Sequence, residues 1–405
     1  MVSSLSTLRS RTALLVGSVA AGTSRLLRRG AGDVIGSKVA LALDPEVLRH
    51  VGTNRRVIVV SGTNGKSTTT ALVQAALGNR VDKQTGANMP TGWVTTLIRT
   101  HGAVALEVDE PYLAEAIDKL SPEVVCLLNL SRDQLDRTSE VRQIAEKWRL
   151  VIAGTTAQIV ANANDPLIVY AVGPALNVTW VDAPLVWVKD ASSCPLCTRP
   201  LSVEGDWHCA CGFRRPRPSW HLNTRTIEGP GVSIPFSVAL PGEYNRGNAA
   251  MAIVSAHLAG VQAGIAASRV GEVTEVLGRF GTVRWRGRQW KLFLAKNPAG
   301  LSALAQLADD FSDDIVISIN DNIADGRDPS WLYDAPFDEI ARGHRVFCTG
   351  SRALDIATRL HYAGIESTVM NKIEDLPAMV SASGPVTVIS NYTAFSDWQR
   401  RGTPC

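Results

Sequence analysis

The stretch of sequence that decides the fold is residues 56–68, which read RVIVVSGTNGKST. Its β-branched first half, Arg56–Val60, predicts a buried strand, and Thr68–Leu77 has the composition of a helix. A strand, a glycine-containing loop and a helix in that order form a cradle for phosphate. A chance glycine-rich turn is the alternative interpretation, but the order of the three elements favours the cradle.

The loop supplies the first candidate residues for a nucleotide. Gly62 and Gly65 let backbone amides approach the phosphate oxygens, Lys66 adds a positive charge, and the Ser67 hydroxyl can reach Mg²⁺. The general P-loop pattern has a further glycine where this chain has Val60. That departure indicates a particular subclass of P-loop protein.

Alternating short β-branched runs and helical patterns predict two parallel α/β units. Residues 51–287 form the first, a phosphate-binding domain, and residues 288–405 form the second, a Rossmann-like domain, after a basic and apolar segment at 1–50. The predicted strands are Arg56–Val60, Ala103–Val108, Val124–Leu128, Ala157–Ala161, Val178–Val181 and Val232–Leu240 in the first unit, and Lys291–Ala295, Ile315–Ile319, Arg345–Cys348, Ser367–Val369 and Val386–Ile389 in the second.

Composition and charge argue against several classes of protein. Apolar residues make up 45% and charged residues 20%, which is typical of a soluble globular chain. The net charge of +3 is too small to predict general electrostatic binding to nucleic acid.

Near the N-terminus the apolar run Thr12–Gly22 lies between arginines and is too short to span a bilayer. We expect a retained amphipathic helix rather than a cleaved signal peptide. Its contact with an anionic membrane face is a hypothesis that vesicle co-sedimentation of a chain lacking residues 1–30 would test.

Four of the seven cysteines have metal-ligand spacing. Cys194 and Cys197 are spaced C-x-x-C, and Cys209 and Cys211 follow with the spacing C-x-C. The two pairs predict a structural zinc ribbon, within an insert at about residues 190–215, because four thiolates leave no open position for a substrate. Unligated thiols and disulfides are the alternatives. The quartet fits a reducing cytosol better than a secreted scaffold.

Five segments together resemble the superfamily of Mur ligases and folylpolyglutamate synthases. They are Gly62–Thr68 (GTNGKST), Leu106–Glu110 (LEVDE), Asn129–Asp136 (NLSRDQLD), Asn162–Pro166 (NANDP) and Gly242–Asn248 (GEYNRGN). The third departs from the family pattern, with Gln134 where a histidine usually stands. The resemblance implies a Mur ligase-type central domain that uses ATP and Mg²⁺ to activate a carboxylate as an acyl phosphate.

The resemblance also implies which residues form the ATP and Mg²⁺ site. They are Gly62, Thr63, Asn64, Gly65, Lys66, Ser67, Thr68, Glu107, Glu110, Asn245 and Asn248. The choice between Glu107 and Glu110 as the Mg²⁺ ligand stays open, and a solvated acidic face is the alternative for either one. For Asn245 and Asn248, a helix N-cap is the alternative role.

Further features narrow the resemblance to the MurT family. Only about sixty residues precede the phosphate loop, too few for the uridine-nucleotide domain of amino-acid-adding Mur ligases. Asn320–Asp334, Lys296–Gly300 and Tyr392–Ala394 are similar to segments of the MurT family, with Pro329 replacing a small apolar residue. This resemblance covers nearly the whole chain. It implies a cytoplasmic synthetase, at the inner face of the cell membrane, that amidates the α-carboxylate of D-isoglutamate in the peptidoglycan precursor lipid II to give D-isoglutamine.

The MurT resemblance implies a protein partner as well. The chain shows no glutaminase signature, so ammonia would come from a GatD-type glutamine amidotransferase subunit in a heterodimer. The family donates an aspartate to the partner's Cys-His pair, where a carboxylate orients the histidine. We expect Asp334 first and Asp328 second in that catalytic role, alongside Lys66 and Glu110 in the synthetase; a helix-capping acid is the alternative for Asp334.

Two other functions stay open on the sequence alone. A folylpolyglutamate synthase-like or amino-acid-adding Mur-type ligase shares the ATP chemistry and differs in using an amino acid rather than ammonia. A zinc-ribbon nucleic-acid-binding protein would use Arg214, Arg215, Arg217 and Trp220. The low net charge and the phosphate loop disfavour that second alternative, so no nucleic-acid partner is expected.

Overall fold

The computed structural model describes residues 2–26, 33–79, 88–132, 141–173, 175–185, 189–202, 206–276, 280–326, 328–381 and 384–404. Over these residues the chain forms a helical N-terminal segment and two α/β units, each built on its own sheet. The predicted α/β fold class is therefore confirmed.

Three helices precede the first sheet: α1 (Val2–Leu26), α2 (Asp33–Leu43) and α3 (Val47–Gly52). Helices α1 and α2 pack so closely that a Cβ added to Gly17 would lie 2.6 Å from the Gly36 carbonyl oxygen. Leu15 and Val19 of α1 are exposed. Among the helices that the structure describes, none is long and apolar enough to cross a membrane.

The first sheet has eight strands in the order β2-β1-β3-β4-β5-β6-β7-β8. These strands are β1 (Val57–Ser61), β2 (Val104–Glu107), β3 (Val124–Leu127), β4 (Gln158–Asn162), β5 (Val178–Asp182), β6 (Trp220–Leu222), β7 (Thr226–Gly229) and β8 (Val232–Pro235). Neighbours from β2 to β6 pair in parallel, whereas β7 and β8 add antiparallel strands at one edge. The sequence did not predict β6 or β7, because strands of three or four residues show no visible alternation.

Helices cover both faces of this sheet. They are α4 (Lys66–Ala76), α5 (Pro90–Arg99), α6 (Leu113–Leu120), α7 (Val141–Ile152), α8 (Pro166–Val172), α9 (Glu243–Leu258) and α10 (Ala263–Gly271). Ile58 and Val60 pack in the core with α4 and α9, while Val57 and Val59 pack in the core with α5 and α6. This burial on both sides explains the unbroken apolar run of β1, which is typical of a parallel sheet.

The cysteine-rich insert lies between β5 and β6. Its Trp207 and Phe213 rings pack with centroids 5.1 Å apart. The Trp207 Nε1–H donates to the Ala163 carbonyl oxygen at 3.2 Å. The insert therefore packs against the segment that follows β4, at the same edge of the sheet as the phosphate loop.

The second sheet has seven strands in the order β13-β12-β11-β14-β10-β9-β15. These strands are β9 (Phe280–Trp285), β10 (Arg288–Leu294), β11 (Asp314–Ser318), β12 (Arg345–Thr349), β13 (Ser367–Val369), β14 (Val386–Ser390) and β15 (Thr403–Pro404). Strands β13, β12, β11, β14 and β10 pair in parallel, and β9 and β15 extend the sheet in antiparallel fashion. Because β9 starts at Phe280, the second sheet begins before residue 288, where the sequence placed the start of the C-terminal domain.

The remaining helices pack on this second sheet. They are α11 (Pro298–Ala305), α12 (Trp331–Asp334), α13 (Phe337–Ala341), α14 (Ala353–Tyr362), α15 (Leu376–Met379) and α16 (Tyr392–Arg401). Phe337 and Leu360 lie in the apolar core on one face, and Trp398 lies in the core on the other. The parallel part of the sheet with helices on both faces is the doubly wound arrangement that the sequence predicted.

Candidate functional site

The phosphate loop lies between β1 and α4, at the carboxyl end of the first sheet. Gly62 has a φ of 143° and Gly65 a φ of 86°, both in the region that favours glycine. A Cβ added to Gly65 would lie 2.5 Å from Oδ1 of Asn248, so this side chain of α9 packs directly against the loop. The strand, loop and helix thus follow one another in the order that a phosphate cradle requires.

The segment that follows β3 braces the phosphate loop. The Thr63 N–H donates to the Asn129 carbonyl oxygen at 2.9 Å, and the Asn64 N–H donates to Asn129 Oδ1 at 3.0 Å. The Ser131 N–H donates to Thr63 Oγ1 at 3.0 Å. Residues 129–131 therefore fix the shape of the loop, while the rest of this family-like segment, including Gln134, lies outside the described residues.

Asp165 forms a hydrogen bond with the same segment, residues 129–131. Its Oδ2 accepts a hydrogen bond from the Leu130 N–H at 2.8 Å. Its Oδ1 accepts from the N–H groups of Leu167 and Ile168 at 2.8 and 3.2 Å, which caps α8. Burial raises the pKa of Asp165 to about 6, although the three N–H donors oppose this rise. One buried carboxyl group thus joins two loops at the edge of the sheet.

The Lys66 side chain is buried beside two carboxyl groups. Its Nζ lies 2.7 Å from Glu110 Oε2 and 3.1 Å from Asp109 Oδ1. Burial raises the pKa of Glu110. Burial alone would also raise the pKa of Asp109, but the positive charge of Lys66 and the hydrogen bonds with Glu110 and Lys66 together outweigh burial, so the pKa is lowered. Sequence reasoning missed Asp109, although a third acidic residue in the stretch LEVDE was a visible signal.

Glu107, at the end of β2, faces the start of α4. The Ser67 hydroxyl donates to Glu107 Oε1 at 3.0 Å. The other oxygen, Oε2, is buried and has no hydrogen-bond partner within the described chain. An unpartnered buried carboxylate oxygen is costly unless a ligand completes it, and carboxylate and hydroxyl oxygens suit Mg²⁺. The structure therefore separates the two glutamates, with Glu107 beside Ser67 and Glu110 beside Lys66.

A pocket beside the phosphate loop is lined by both α/β units. Its lining includes Asn64, Gly65, Thr68, Asn245 and Asn248 from the first unit, and Phe280, Phe293 and Gly300 from the second. Asn248 Nδ2–H donates to Asn245 Oδ1 at 3.2 Å, which joins the two asparagines of α9. The rings of Phe280 and Phe293 pack with centroids 5.2 Å apart. An apolar wall next to a phosphate cradle suits the base of a nucleotide.

The four cysteines of the insert converge on one point. Their Sγ atoms all lie within 4.8 Å of one another. The Sγ atoms of Cys194 and Cys211 are 3.7 Å apart, and those of Cys197 and Cys209 are 3.4 Å apart. A disulfide needs about 2.05 Å, whereas sulfurs at about 2.3 Å from a tetrahedral ion lie about 3.8 Å from one another. The geometry fits a four-thiolate metal site.

The two aspartates predicted to serve a partner lie in the second unit. Asp334 is the last residue of α12, its side chain is 49% exposed, and its Oδ2 accepts from Arg132 Nη1–H at 3.0 Å. Asp328 Oδ1 accepts from the Ser330 N–H at 2.9 Å in a local turn. In the parts of the chain that the structure describes, neither carboxylate bonds to the phosphate loop.

Two family models match this chain. Residues 60–180 match the Mur ligase middle domain, and residues 294–395 match the MurT ligase C-terminal domain. The first range covers the phosphate loop and strands β2 to β4. The second covers most of the C-terminal α/β unit.

Curated relatives match over almost the whole chain. The chain is 26% identical over 425 residues to lipid II isoglutaminyl synthase (glutamine-hydrolyzing) subunit MurT of Staphylococcus aureus (strain N315), covering 96% of this chain and 97% of that protein. It is 27% identical over 419 residues to the protein of the same name from Streptococcus pneumoniae (strain ATCC BAA-255 / R6), covering 92% and 93%.

Solved structures share the fold. A pseudomurein peptide ligase type C from Methanothermus fervidus superposes with a TM-score of 0.67 at 16% identity, covering 88% of this chain and 80% of that one. The folylpolyglutamate synthase of Mycobacterium tuberculosis complexed with ADP superposes with a TM-score of 0.59 at 16% identity, covering 89% and 93%. At such identities the likeness shows the fold alone.

Proposed function

This chain belongs to the MurT family of Mur ligases, and on that premise we propose that it is the synthetase subunit of a lipid II isoglutaminyl synthase. The reaction converts the α-carboxylate of D-isoglutamate in the stem peptide of lipid II into a carboxamide, giving D-isoglutamine. It consumes ATP and ammonia and releases ADP and phosphate. The observation that carries this proposal is the buried cluster of Lys66, Asp109 and Glu110, in a chain whose second unit matches the MurT C-terminal domain.

The first step takes place at the phosphate loop. A carboxylate oxygen of the substrate attacks the γ-phosphorus of ATP, ADP leaves, and an acyl phosphate forms. Two anions must meet for this step, so positive charge has to neutralise both. Lys66 supplies one such charge, because its Nζ can exchange Glu110 for a phosphate oxygen without leaving the cluster. Glu107 and Ser67 would hold Mg²⁺, which neutralises phosphate charge when bound.

The second step replaces phosphate with nitrogen. Ammonia attacks the acyl carbon, phosphate leaves with its bonding electrons, and the nitrogen loses a proton to give the neutral amide. The pocket between the two units would hold the nucleotide, with Asn245 and Asn248 beside the phosphate loop and Phe280 beside the base. Closure of the two units around this pocket would exclude water, which would otherwise hydrolyse the acyl phosphate.

The four cysteines have a structural role in this proposal. Their sulfur positions support a structural Zn²⁺ ion held by Cys194, Cys197, Cys209 and Cys211, because four thiolates would fill the tetrahedral coordination of the ion. Zn²⁺ suits four thiolates in tetrahedral geometry better than Mg²⁺ or Ca²⁺, which prefer oxygen ligands. The ion would hold the insert against the edge of the first sheet and take no part in the chemistry.

A folylpolyglutamate synthase-like or amino-acid-adding activity is the nearest alternative. These enzymes share the fold, but the match of residues 294–395 to the MurT C-terminal domain favours amidation.

The proposed amidation is tested by incubation of the chain with lipid II, ATP and ammonium chloride, followed by mass spectrometry of the product. We expect an ATP-dependent mass decrease of about one dalton per stem peptide, because an amino group replaces a hydroxyl. ATP-dependent addition of glutamate to a folate, without this change in lipid II, would contradict the proposal.

A glutamine amidotransferase of the GatD type is the partner we propose, because the chain has no glutaminase signature of its own. Asp334 has the exposure that such a contact needs, and one of its carboxylate oxygens has no hydrogen bond within the described chain.

Lipid II lies in the membrane, so we place the complex at the cytoplasmic face of the membrane. The exposed side chains of Leu15 and Val19 in α1 would contact the lipid surface there.

Asp334→Asn is expected to lower glutamine-driven amidation by at least about tenfold, because an amide orients the partner's histidine less well than a carboxylate. Amidation with ammonium chloride should persist, since free ammonia bypasses the glutaminase. Both rates are measured on the same complex, with Asp328→Asn as the matched control. Full glutamine-driven turnover in Asp334→Asn, together with a loss in Asp328→Asn, would move the role to Asp328.

A further inference from the structure

Arg132 connects the two α/β units through its side chain. Its main-chain N–H donates to Asp190 Oδ2 at 2.8 Å, and its Nε–H donates to Asp190 Oδ1 at 2.6 Å. The Asp190 side chain is only 6% exposed. The guanidinium group is therefore fixed on the first unit, next to the cysteine-rich insert. From there Nη1–H reaches Oδ2 of Asp334 in the second unit at 3.0 Å.

Arg132 directly follows Ser131, which forms hydrogen bonds with the phosphate loop. Ser131 exchanges two hydrogen bonds with Thr63, at 3.0 and 3.1 Å, and its hydroxyl accepts from Asn64 Nδ2–H at 3.1 Å. A shift of the loop would move Ser131 and with it the backbone of Arg132. The same short segment thus contacts the phosphate loop on one side and, through the guanidinium, Asp334 on the other.

The pair between Arg132 and Asp334 is not a major source of stability. Both side chains are partly exposed, at 35% and 49%, and ion pairs of this kind contribute little to folding. A charge-assisted hydrogen bond does, however, fix the direction of a carboxylate that is otherwise free to rotate. Only Oδ2 is occupied in this way, and Oδ1 has no hydrogen bond within the described residues. The arrangement leaves one oriented oxygen for a donor on another protein.

We propose that Arg132 is a positioning residue, which orients Asp334 toward the histidine of the glutaminase partner and makes that orientation depend on the phosphate loop. This inference rests on the role proposed above for Asp334. Nucleotide at the loop would then favour the orientation of Asp334 that supports glutamine hydrolysis. The consequence is that ammonia is released mainly when the synthetase holds ATP.

The test uses the full chain in complex with its glutaminase subunit, and measures the ratio of glutamine-driven to ammonium-driven amidation. Arg132→Ala is expected to lower this ratio by about tenfold. Arg142→Ala is the matched control, because it removes an exposed arginine whose Nε lies 3.3 Å from Glu146, and it should leave the ratio unchanged. Addition of Asp334→Asn to Arg132→Ala should cause no further fall beyond that of Asp334→Asn alone, because both act on one carboxylate.

A second readout addresses the dependence on the phosphate loop. In the wild-type complex without lipid II, ATP should raise the rate of glutamine hydrolysis by about fivefold, and Arg132→Ala should abolish that rise. If the alanine variant does not assemble with its partner, Arg132→Lys takes its place with the same expectations, because lysine lacks the rigid planar fork with which the guanidinium contacts Asp190 and Asp334 at once.

The outcomes separate this inference from the function on which it rests. A normal ratio in Arg132→Ala, or an ATP effect that survives in it, would overturn the role of Arg132 if Asp334→Asn still lowers the ratio. A normal ratio in Asp334→Asn would instead remove the proposed role of Asp334 itself. Loss of ammonium-driven amidation in the wild-type complex would contradict the synthetase function.

Discussion

Replacing Lys66 with alanine is expected to lower ATP-dependent amidation of lipid II by about a thousandfold, with ammonium chloride as the nitrogen source. Lys66 is buried at the end of the phosphate loop and is the cation nearest to Glu110 and Asp109 in the geometry described above. Without it, negative charge on the transferring phosphoryl group would face two carboxyl groups. The loss should appear in kcat, because the charge that Lys66 neutralises is largest in the transition state.

The main risk in this experiment is a loss of folding, because Lys66→Ala leaves the buried Glu110 without its partner. The double variant Lys66→Ala/Glu110→Gln removes that unpaired charge, so it should regain thermal stability while it stays inactive. Lys119→Ala is the control for removal of a lysine, since Lys119 pairs with Glu46 at the surface. A folded Lys66→Ala chain with more than about a tenth of wild-type activity would contradict the mechanism.

Replacing Cys209 with serine is expected to release the metal of the insert and unfold it. The wild-type chain should contain about one zinc ion, and the variant should contain almost none, as measured by elemental mass spectrometry. A structural zinc ion contributes about 10–16 kcal/mol to the folding of isolated finger peptides. Among the described residues of the insert, the apolar cluster that could replace such a contribution is small, with Leu201 and Trp207 among its members.

The loss of folded structure in Cys209→Ser should be confined to the insert and its contacts. The two sheets have apolar cores of their own, so the main thermal transition should persist while protease cleavage between residues 190 and 215 becomes rapid. Cys348→Ala is the control, because Cys348 is a buried cysteine of β12 outside the cluster, and it should keep the full zinc content. Stoichiometric zinc in Cys209→Ser would show that the ion lies elsewhere.

The parallel strands were predictable because they are buried on both faces. Their sequences are short continuous runs of β-branched residues, and the predicted bounds differ from those of β1, β3 and β14 by one residue at each end or less. The edges of the sheets gave no such signal. Strand β9 was missed because the predicted boundary between the two domains fell between residues 287 and 288. That position is the turn of a hairpin, in which Arg286 and Gly287 have φ values of 49° and 75°.

The candidate site was predictable as a set of residues but not as a geometry. Motif spacing indicated that Glu107 and Glu110 are both near the nucleotide. Only the fold shows that one faces Ser67 and the other faces Lys66, because Glu107 ends strand β2 and Glu110 begins the helical turn that follows it. The contact between Arg132 and Asp334 joins residues from two units, and such contacts leave no trace in the local pattern of a single sequence.

The contact of Gly65 with Asn248 has a consequence for mutation and for engineering. A side chain at position 65 would collide with the Asn248 amide and would also adopt an unfavourable φ, so a smaller residue at position 248 would relieve only the collision. A saturation scan of position 65 should therefore recover only glycine, even in a library that also varies position 248. A phosphate loop transplanted from another nucleotide-binding protein would, for the same reason, have to bring its own matching helix with it.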